Sequence, residues 1–274
     1  MEGPDAKLLE SVRLHLLKAR ELDVSGYSGT FVLRSVRKRM GRAGTADLAD
    51  YVRLLRASEE ETNELIAALS INVTDFFRDE GAFEALSEKV LRPVIRSKMG
   101  AGGMVRIWSA GCATGQEMYT IAICLDQELR RAGSNENIMG VVTGGDLSKT
   151  ALAFARRGVY TKEQVGRVPL HYLREYFVEE GDSFSVGEAL RRRVRLVQEN
   201  LLDEPRSRFF DVVVCRNVLI YFSRPMHDKV VMNLYRSLRP GGHLMLGRTE
   251  SMVGGPRNHY MLVDAENRIF RRVD

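Results

Sequence analysis

Apolar residues in the first part of the chain recur every three or four positions, the spacing of one face of an α-helix. The first such stripe consists of Leu8, Leu9, Val12, Leu16 and Leu17. A glycine-containing break at residues 25–29 separates this stripe from further helical segments. No convincing strand pattern precedes residue 91, so the sequence predicts an all-α domain over residues 1–90.

The pattern changes beyond a helix and linker at residues 91–103, which ends in Ala101-Gly102-Gly103. From Met104 onward, short apolar runs alternate with helical stripes, and Asp211 to Cys215 is the cleanest of the runs. Continuous apolar runs are typical of parallel strands that are buried on both faces. Residues 104–274 are therefore predicted to form an α/β domain with a mostly parallel sheet.

Two segments of this second domain depart from the alternation of strands and helices. Residues 159–198 combine a helical piece, a polar turn and strand-like pieces, which predict a small inserted β-subdomain. Residues 260–263 and 268–272 flank a polar turn and predict an antiparallel hairpin.

The first strand of the second domain leads into a candidate ligand site. Gly111 and Gly115 lie between the apolar run Val105 to Ser109 and a helical stripe that begins at Met118. A strand, a glycine turn and a helix in this order hold ligands at the carboxyl ends of a parallel sheet. A phosphate loop would need a Gly-Lys-Ser/Thr ending, which is absent, and Ala113 replaces a glycine of the dinucleotide fingerprint. The glycines alone are equally compatible with an ordinary turn.

Two acidic residues narrow the class of ligand. Glu117 follows the glycine turn, and Asp146 ends the second strand at residues 141–146. An acid at the end of this strand typically accepts hydrogen bonds from ribose hydroxyls. Two carboxylates make the pocket anionic, which suits a cationic nucleoside better than a pyrophosphate. S-adenosyl-L-methionine, with its sulfonium and ammonium groups, is such a ligand.

Composition and cysteine content limit the location of the protein. The chain of 274 residues is long enough to bury a full core. Cys112, Cys124 and Cys215 have no metal-ligand spacing, so we expect no metal site and reduced thiols. No apolar run approaches the ~20 residues of a membrane span, and the start of the chain does not resemble a signal peptide. These features predict a cytoplasmic protein without membrane insertion.

A helix with one basic face is the candidate partner surface. Its apolar positions are Phe31, Leu33, Val36 and Met40, and its basic positions are Arg34, Arg37, Lys38, Arg39 and Arg42. Such a helix can pack one face on a core and present the other to solvent. Both a solvated surface and a docking site for an acidic partner fit this pattern.

Five blocks of the sequence resemble the chemotaxis receptor glutamate O-methyltransferases, the CheR-type family. They are residues 72–78, 108–119, 145–148, 200–202 and 215–222. The most specific are the Asn-x-Thr-x-Phe-Phe-Arg and Cys-Arg-Asn-Val-x-Ile-Tyr-Phe blocks. The resemblance implies an all-α N-terminal domain followed by a class I methyltransferase domain. This second domain would have a Rossmann-like α/β fold with a mostly parallel sheet, an antiparallel C-terminal hairpin and an inserted β-subdomain.

The resemblance also implies a set of site residues. The cofactor contacts that the resemblance implies are Asn72, Thr74, Arg78, Glu117, Asp146, Asn200, Leu201 and Asn217. We add Gly111 from the glycine turn. We expect Arg78 to position the substrate carboxylate or the methionine end of the cofactor. Tyr221 should offer one hydrogen bond near the methyl group, or else serve as a core aromatic. Ser148 stands where the family usually has a second acid, and Gly144-Gly145 before it is also unusual.

The implied reaction transfers a methyl group from S-adenosyl-L-methionine to receptor glutamates and leaves S-adenosyl-L-homocysteine. The resemblance further implies that the basic helical face meets the acidic region of a receptor coiled coil, and we expect a monomer. The pI of 9.2 prompts a nucleic-acid methyltransferase as an alternative. However, Asn217 is followed by Val218 and not by the proline of a base-methylating motif. Another protein methyltransferase and a non-catalytic adaptor that binds the cofactor are the remaining alternatives.

Overall fold

A computed structural model describes residues 4–20, 24–69, 74–99, 103–133, 138–252 and 254–274. Contacts divide the chain into one unit of Met1–Asn72 with Tyr221–His227, and a second of Val73–Ile220 with Asp228–Asp274. This division lies earlier than the predicted boundary at residue 90. The reason is that the helical residues between 80 and 98 share a hydrophobic core with the α/β domain.

The first unit contains helices α1 (Pro4–Arg20), α2 (Gly29–Ala43), α3 (Leu48–Ala57) and α4 (Glu59–Leu69). Side-chain oxygens accept hydrogen bonds from the first-turn N–H groups, which have no partner within a helix. Ser28 accepts from Phe31 N at 3.3 Å, and Asp47 accepts from Asp50 N at 2.7 Å. The predicted all-α character of this part of the chain is confirmed.

The other helices begin after residue 79. They are α5 (Glu80–Leu86), α6 (Arg92–Lys98), α7 (Gln116–Arg131), α8 (Lys149–Arg157), α9 (Leu170–Tyr176), α10 (Glu188–Arg191) and α11 (Arg224–Ser237). A π-helical turn, Ser87–Leu91, joins α5 to α6. Within the described ranges, every helix is too short or too polar to cross a bilayer.

In the described part of the chain, ten strands form a large and a small sheet. They are β1 (Gly103–Ala110), β2 (Ile138–Asp146), β3 (Val159–Thr161), β4 (Phe177–Glu180), β5 (Ser183–Val186), β6 (Val194–Gln198), β7 (Phe210–Cys215), β8 (Leu238–Leu246), β9 (Tyr260–Asp264) and β10 (Ile269–Arg272). The large sheet has the order β6-β2-β1-β7-β8-β10-β9. Its first five strands are parallel, whereas β10 is antiparallel to β8 and β9. The predicted α/β class and C-terminal hairpin are confirmed.

The small antiparallel sheet has the order β3-β5-β4 and ends at Val186. It is therefore shorter than the predicted insertion, which extends to residue 198. The difference arises because β6 pairs in parallel with β2, from Val142↔Val194 to Asp146↔Gln198. Leu196 packs on the main core, so β6 is an edge strand of the large sheet.

Candidate active site

The glycine turn after β1 has the backbone conformation that its sequence requires. Gly111 and Gly115 have φ values of 79° and 95°, a region that residues with a Cβ rarely adopt. A Cβ on Gly111 would lie 2.7 Å from a methyl of Val218, and one on Gly115 would lie 2.8 Å from the Cβ of Ala155. Gly111 N donates to the carbonyl of Gly145 at 2.8 Å, which holds the turn against the end of β2.

Asp146 lies beside this turn, where β2 ends. Its Oδ2 accepts from Ala113 N at 2.8 Å, and its Oδ1 accepts from Ser148 N at 2.8 Å. Burial raises the pKa of Asp146, and these backbone hydrogen bonds oppose the rise. The Ser148 hydroxyl caps α8 by accepting from Ala151 N at 3.2 Å. The residue that replaces the usual second acid therefore starts a helix.

Glu117 lies in the first turn of α7 and faces a buried arginine. Its Oε1 accepts from the Ser109 hydroxyl at 3.0 Å, and its Oε2 lies 3.6 Å from Arg216 Nη1. Burial raises the pKa of Glu117, whereas the charge of Arg216 lowers it. Arg216 has a side chain only 1% exposed and donates from Nη2 to Asp79 at 2.6 Å. Sequence reasoning missed Arg216, although an arginine directly after a buried strand was a usable signal.

Arg78 follows an unusual stretch of backbone close to Glu117. Phe77 and Asp79 have φ values of 49° and 60°, which non-glycine residues seldom adopt. The Arg78 carbonyl accepts from Arg216 Nη1 at 3.1 Å. The Arg78 guanidinium makes no hydrogen bond or salt bridge with another described residue, but its charge lowers the pKa of Glu117. Arg78 therefore has a fixed backbone and donors that remain available to a ligand.

Asn217 lies in a loop that one buried carboxylate organises. Glu250 is 3% exposed and accepts four backbone N–H groups, two on each oxygen. The donors are Asn217 and Gly247 on Oε2, and Val218 and Leu219 on Oε1, all between 2.7 and 2.9 Å. Asn217 itself has a φ of 60°, a conformation that asparagine tolerates better than most residues. The sequence contains no local signal for this role of Glu250, which lies beyond the next strand.

The loop after β6 carries Asn200 and Leu201. Asn200 Oδ1 accepts from Leu202 N at 3.1 Å, and the Leu201 carbonyl accepts from Asn233 Nδ2 at 3.0 Å. Both residues line a small cleft together with Glu199. Sequence reasoning also missed Glu199, although it directly precedes the recognised 200–202 block.

Asn72 lies outside the described residues, and Thr74 is half-buried at the start of the next described range. Tyr221 belongs to the first unit, where its ring lies 4.9 Å from that of Phe31 and its carbonyl accepts from Ser28 N at 3.0 Å. The roles assigned to these three residues stay predictions.

The chemistry of the donor set fits a cationic nucleoside. Glu117, Asp146 and Glu199 are carboxyl groups at the strand ends, and the Glu117 carboxylate shares its neighbourhood with Arg216 and Arg78. Carboxylates in a poorly hydrated site attract a sulfonium or ammonium ion more strongly than they would in water. Among the residues that the structure describes, no group of histidine, cysteine and acidic side chains could hold a metal ion.

The basic face of α2 differs from the prediction at one position. Arg39 is buried, and it donates to the Glu61 carboxylate at 3.0 and 2.7 Å and to Glu64 at 2.9 Å. Its assignment to an exposed basic face is therefore wrong. The reason is that the acids of α4 neutralise it within the unit. The exposed members of the face are Arg34, Arg37, Lys38 and Arg42.

Two family models match this chain. One is described as "CheR methyltransferase, SAM binding domain" and matches residues 72–269. The other is described as "CheR methyltransferase, all-alpha domain" and matches residues 7–70.

Several related proteins align with nearly the whole chain. The chemotaxis protein methyltransferase Cher2 of Pseudomonas putida is 34% identical over 260 residues, which are 93% of each chain. Chemotaxis protein methyltransferase 1 of Pseudomonas aeruginosa is 33% identical over 268 residues, or 96% of each chain. An uncharacterized 104.1 kDa protein of Rhodobacter capsulatus is 30% identical over 92% of this chain, which spans only 26% of that longer protein.

Among solved structures, the N-methyltransferase NodS of Bradyrhizobium japonicum, in complex with S-adenosyl-L-homocysteine, is similar with a TM-score of 0.39. The match has 15% identity and covers 67% of this chain and 86% of that one.

Proposed function

The chain belongs to the CheR methyltransferase family, and from that premise we propose that it is a protein-glutamate O-methyltransferase. It transfers a methyl group from S-adenosyl-L-methionine to glutamate side chains of chemotaxis-type receptors. The products are glutamate 5-O-methyl esters and S-adenosyl-L-homocysteine. The observation that carries this proposal is the pair of half-buried carboxylates, Glu117 and Asp146, beside a glycine turn at the strand ends.

The cofactor supplies a methyl group that is activated by its bond to a sulfonium. Asp146 would accept hydrogen bonds from the ribose hydroxyls, because its fixed carboxylate has lone pairs beyond the two that backbone groups use. Glu117 would hold the ammonium of the methionine end. Asn200 and Leu201 would border the adenine, and Asn217 would close the pocket from the loop that Glu250 organises. Asn72 and Thr74 would complete the contacts.

The substrate glutamate needs no general base from the protein. Its side chain has a pKa of ~4.3 in water, so the nucleophilic oxygen is already ionised at neutral pH. The chain must therefore align the carboxylate and exclude water. Arg78 would orient the substrate carboxylate, and Tyr221 would add one hydrogen bond. A tight arginine clamp would stabilise the charged ground state more than the transition state, so a single loose contact is favoured.

The exposed cations of α2 would dock the acidic coiled-coil region of the receptor. Arg34 and Lys38 are four residues apart, so they share one helical face, and Arg42 extends it by another turn. Electrostatic complementarity of this kind speeds encounter and sets orientation. We propose that the enzyme works as a cytoplasmic monomer, without nucleic acid or membrane insertion.

The test uses methyl-labelled S-adenosyl-L-methionine and receptor-containing membranes from the source organism. Base-labile label, released as volatile methanol, would support carboxyl methylation. Base-stable label would contradict it and favour methylation at nitrogen or carbon. Bound cofactor without any transferred label would favour the adaptor alternative.

The docking face can be tested in the same assay with matched charge reversals. The variant Arg34→Glu with Lys38→Glu should lose most receptor methylation, while its affinity for the cofactor stays unchanged. The control, Lys7→Glu with Lys18→Glu, changes the net charge equally at exposed positions of α1. Equal losses in the two variants would point to overall charge and argue against the α2 face.

A further inference from the structure

Tyr160 connects the small sheet to the glycine turn of the candidate cofactor site. It lies in the middle of β3, where its backbone pairs with Phe184 of β5. It is 1% exposed, and its hydroxyl donates to the Thr114 carbonyl at 2.8 Å. A Cβ on Gly115 would lie 3.1 Å from the same hydroxyl, so this close approach also depends on the glycine. One side chain of the small sheet therefore reaches the turn that is expected to hold the cofactor.

Aromatic rings fix the direction of the Tyr160 side chain. Its ring makes edge contacts at centroid distances of 4.9, 5.6 and 6.3 Å with Phe76, Phe154 and Tyr119. Phe177 of β4 packs in turn on Phe76, at 5.4 Å. Aromatic pairs in this geometry stabilise buried rings beyond the effect of burial alone. The position of the hydroxyl is therefore set by the packing of the ring and does not depend on the turn.

The turn needs such an anchor because one of its residues is strained. Ala113 has a φ of 49°, a left-handed conformation that alanine seldom adopts. Its N–H donates to Asp146 Oδ2 at 2.8 Å, and the carbonyl of the next residue, Thr114, accepts from Tyr160. The strain of one such residue and the net stabilisation by one hydrogen bond are of similar size. Loss of the Tyr160 hydrogen bond should therefore release the strained segment, and with it the N–H that orients Asp146.

We propose that Tyr160 is a positioning residue of the cofactor site, which holds the glycine turn so that the turn can orient Asp146. The inference rests on the proposed function, in which the Asp146 carboxylate accepts hydrogen bonds from the ribose. The start of the turn is held separately by hydrogen bonds to the end of β2, so Tyr160 acts on the half that carries Ala113. A site that is already in its binding geometry has a higher affinity, because binding does not have to restore that geometry.

Tyr119 provides a matched control. It is also 1% exposed, and its hydroxyl donates to a backbone carbonyl, that of Ala155, at 2.9 Å. Burial raises the pKa of both phenols, so both hydroxyls remain protonated donors near neutral pH. The acceptors differ, because Ala155 belongs to α8, whereas Thr114 belongs to the glycine turn. Tyr160→Phe and Tyr119→Phe therefore remove the same kind of hydrogen bond from two neighbouring rings, and only the first should disturb the turn.

Urea unfolding and calorimetric titration with S-adenosyl-L-methionine test the proposal on the wild type and the two variants. Both variants should lose a similar amount of stability, because each loses one buried hydrogen bond and keeps its ring. Tyr160→Phe should bind the cofactor about 3- to 10-fold more weakly, which corresponds to the net value of that hydrogen bond. Tyr119→Phe should stay within about 2-fold of the wild-type affinity.

Initial rates of methyl transfer separate positioning from a merely structural role. In Tyr160→Phe the KM for S-adenosyl-L-methionine should rise about 3- to 10-fold, while kcat at saturating cofactor stays within about 2-fold of the wild type. This split is expected because the turn holds the cofactor equally in the ground state and the transition state. A merely structural defect would instead lower the amount of active protein, and so lower the apparent kcat at an unchanged KM.

The outcomes separate this inference from the proposed function. If the wild type and both variants bind the cofactor equally well, the inference fails and the function stands. Equal losses of affinity in Tyr160→Phe and Tyr119→Phe would also contradict the inference, because they would show a general effect of the aromatic packing. If the wild type does not bind S-adenosyl-L-methionine, the proposed function fails and the inference fails with it.

Discussion

Replacing Glu250 by glutamine tests whether one side chain organises the loop that carries Asn217. The carboxylate accepts four backbone N–H groups with two oxygens. Glutamine has nearly the same shape, but it replaces one oxygen by an NH₂ group that cannot accept. At least two of the donors would then face another donor in a buried site.

The magnitude follows from those lost acceptors. A buried N–H without a partner costs ~1–3 kcal/mol, so the loss of two predicts a destabilisation of about 2–6 kcal/mol. A domain of ~5–15 kcal/mol stability stays mostly folded at room temperature after a loss at the lower end of this range. Asn217 should also lose its fixed position, because its own N–H is one of the four donors. Cofactor affinity should therefore fall together with stability.

Urea unfolding followed by circular dichroism measures the first effect, and calorimetric titration with S-adenosyl-L-methionine measures the second. The control is Glu266→Gln, because the Glu266 side chain is 78% exposed. This control should stay within ~0.5 kcal/mol of the wild type. A Glu250→Gln protein as stable as the control would refute the reasoning, since it would show that the loop holds its conformation without the carboxylate.

Three further substitutions separate structural from functional roles. Arg39→Ala should lower the free energy of unfolding in urea by ~3–5 kcal/mol, because it leaves the Glu61 carboxylate buried without its cation. The control Arg42→Ala should lower it by under ~0.5 kcal/mol. Equal effects of the two substitutions would contradict the burial of Arg39. Asp146→Ala should weaken cofactor binding at least ~10-fold by calorimetry, the value of one hydrogen bond to a charged group, and unchanged affinity would exclude the ribose contact. Arg78→Ala should lose most methyl transfer while its unfolding midpoint stays unchanged, and near-normal turnover would remove Arg78 from the mechanism.

Features encoded by neighbouring residues could be predicted from the sequence. The glycine turn and the acid at the end of β2 depend on short spacings, and in the structure the turn is hydrogen-bonded to Gly145 and Asp146 at the end of β2. Features that depend on distant partners could not. Arg39 has the periodicity of a surface residue, and its burial depends on Glu61, 22 positions away. Glu250 is likewise 33 positions from Asn217.

The strand β6 shows a different limit of sequence reasoning. Five residues are too few to reveal whether a strand joins the large sheet or the small one, and Arg195 interrupts its apolar positions. Only its pairing with β2 decides the question. The consequence for function is direct, because this pairing brings the loop with Asn200 to the same sheet edge as Asp146.

The acidic residues near the strand ends have two separable kinds of role. Glu250 has both oxygens engaged by backbone donors, and Asp79 neutralises the buried Arg216, so these two maintain the shape of the site. Glu117 and Asp146 accept fewer hydrogen bonds than Glu250 does and keep lone pairs for a ligand. Loss of the shaping acids should therefore reduce stability first and affinity as a consequence. Loss of the ligand-facing acids should reduce affinity more than stability, because fewer donors within the protein lose their acceptor than on loss of Glu250.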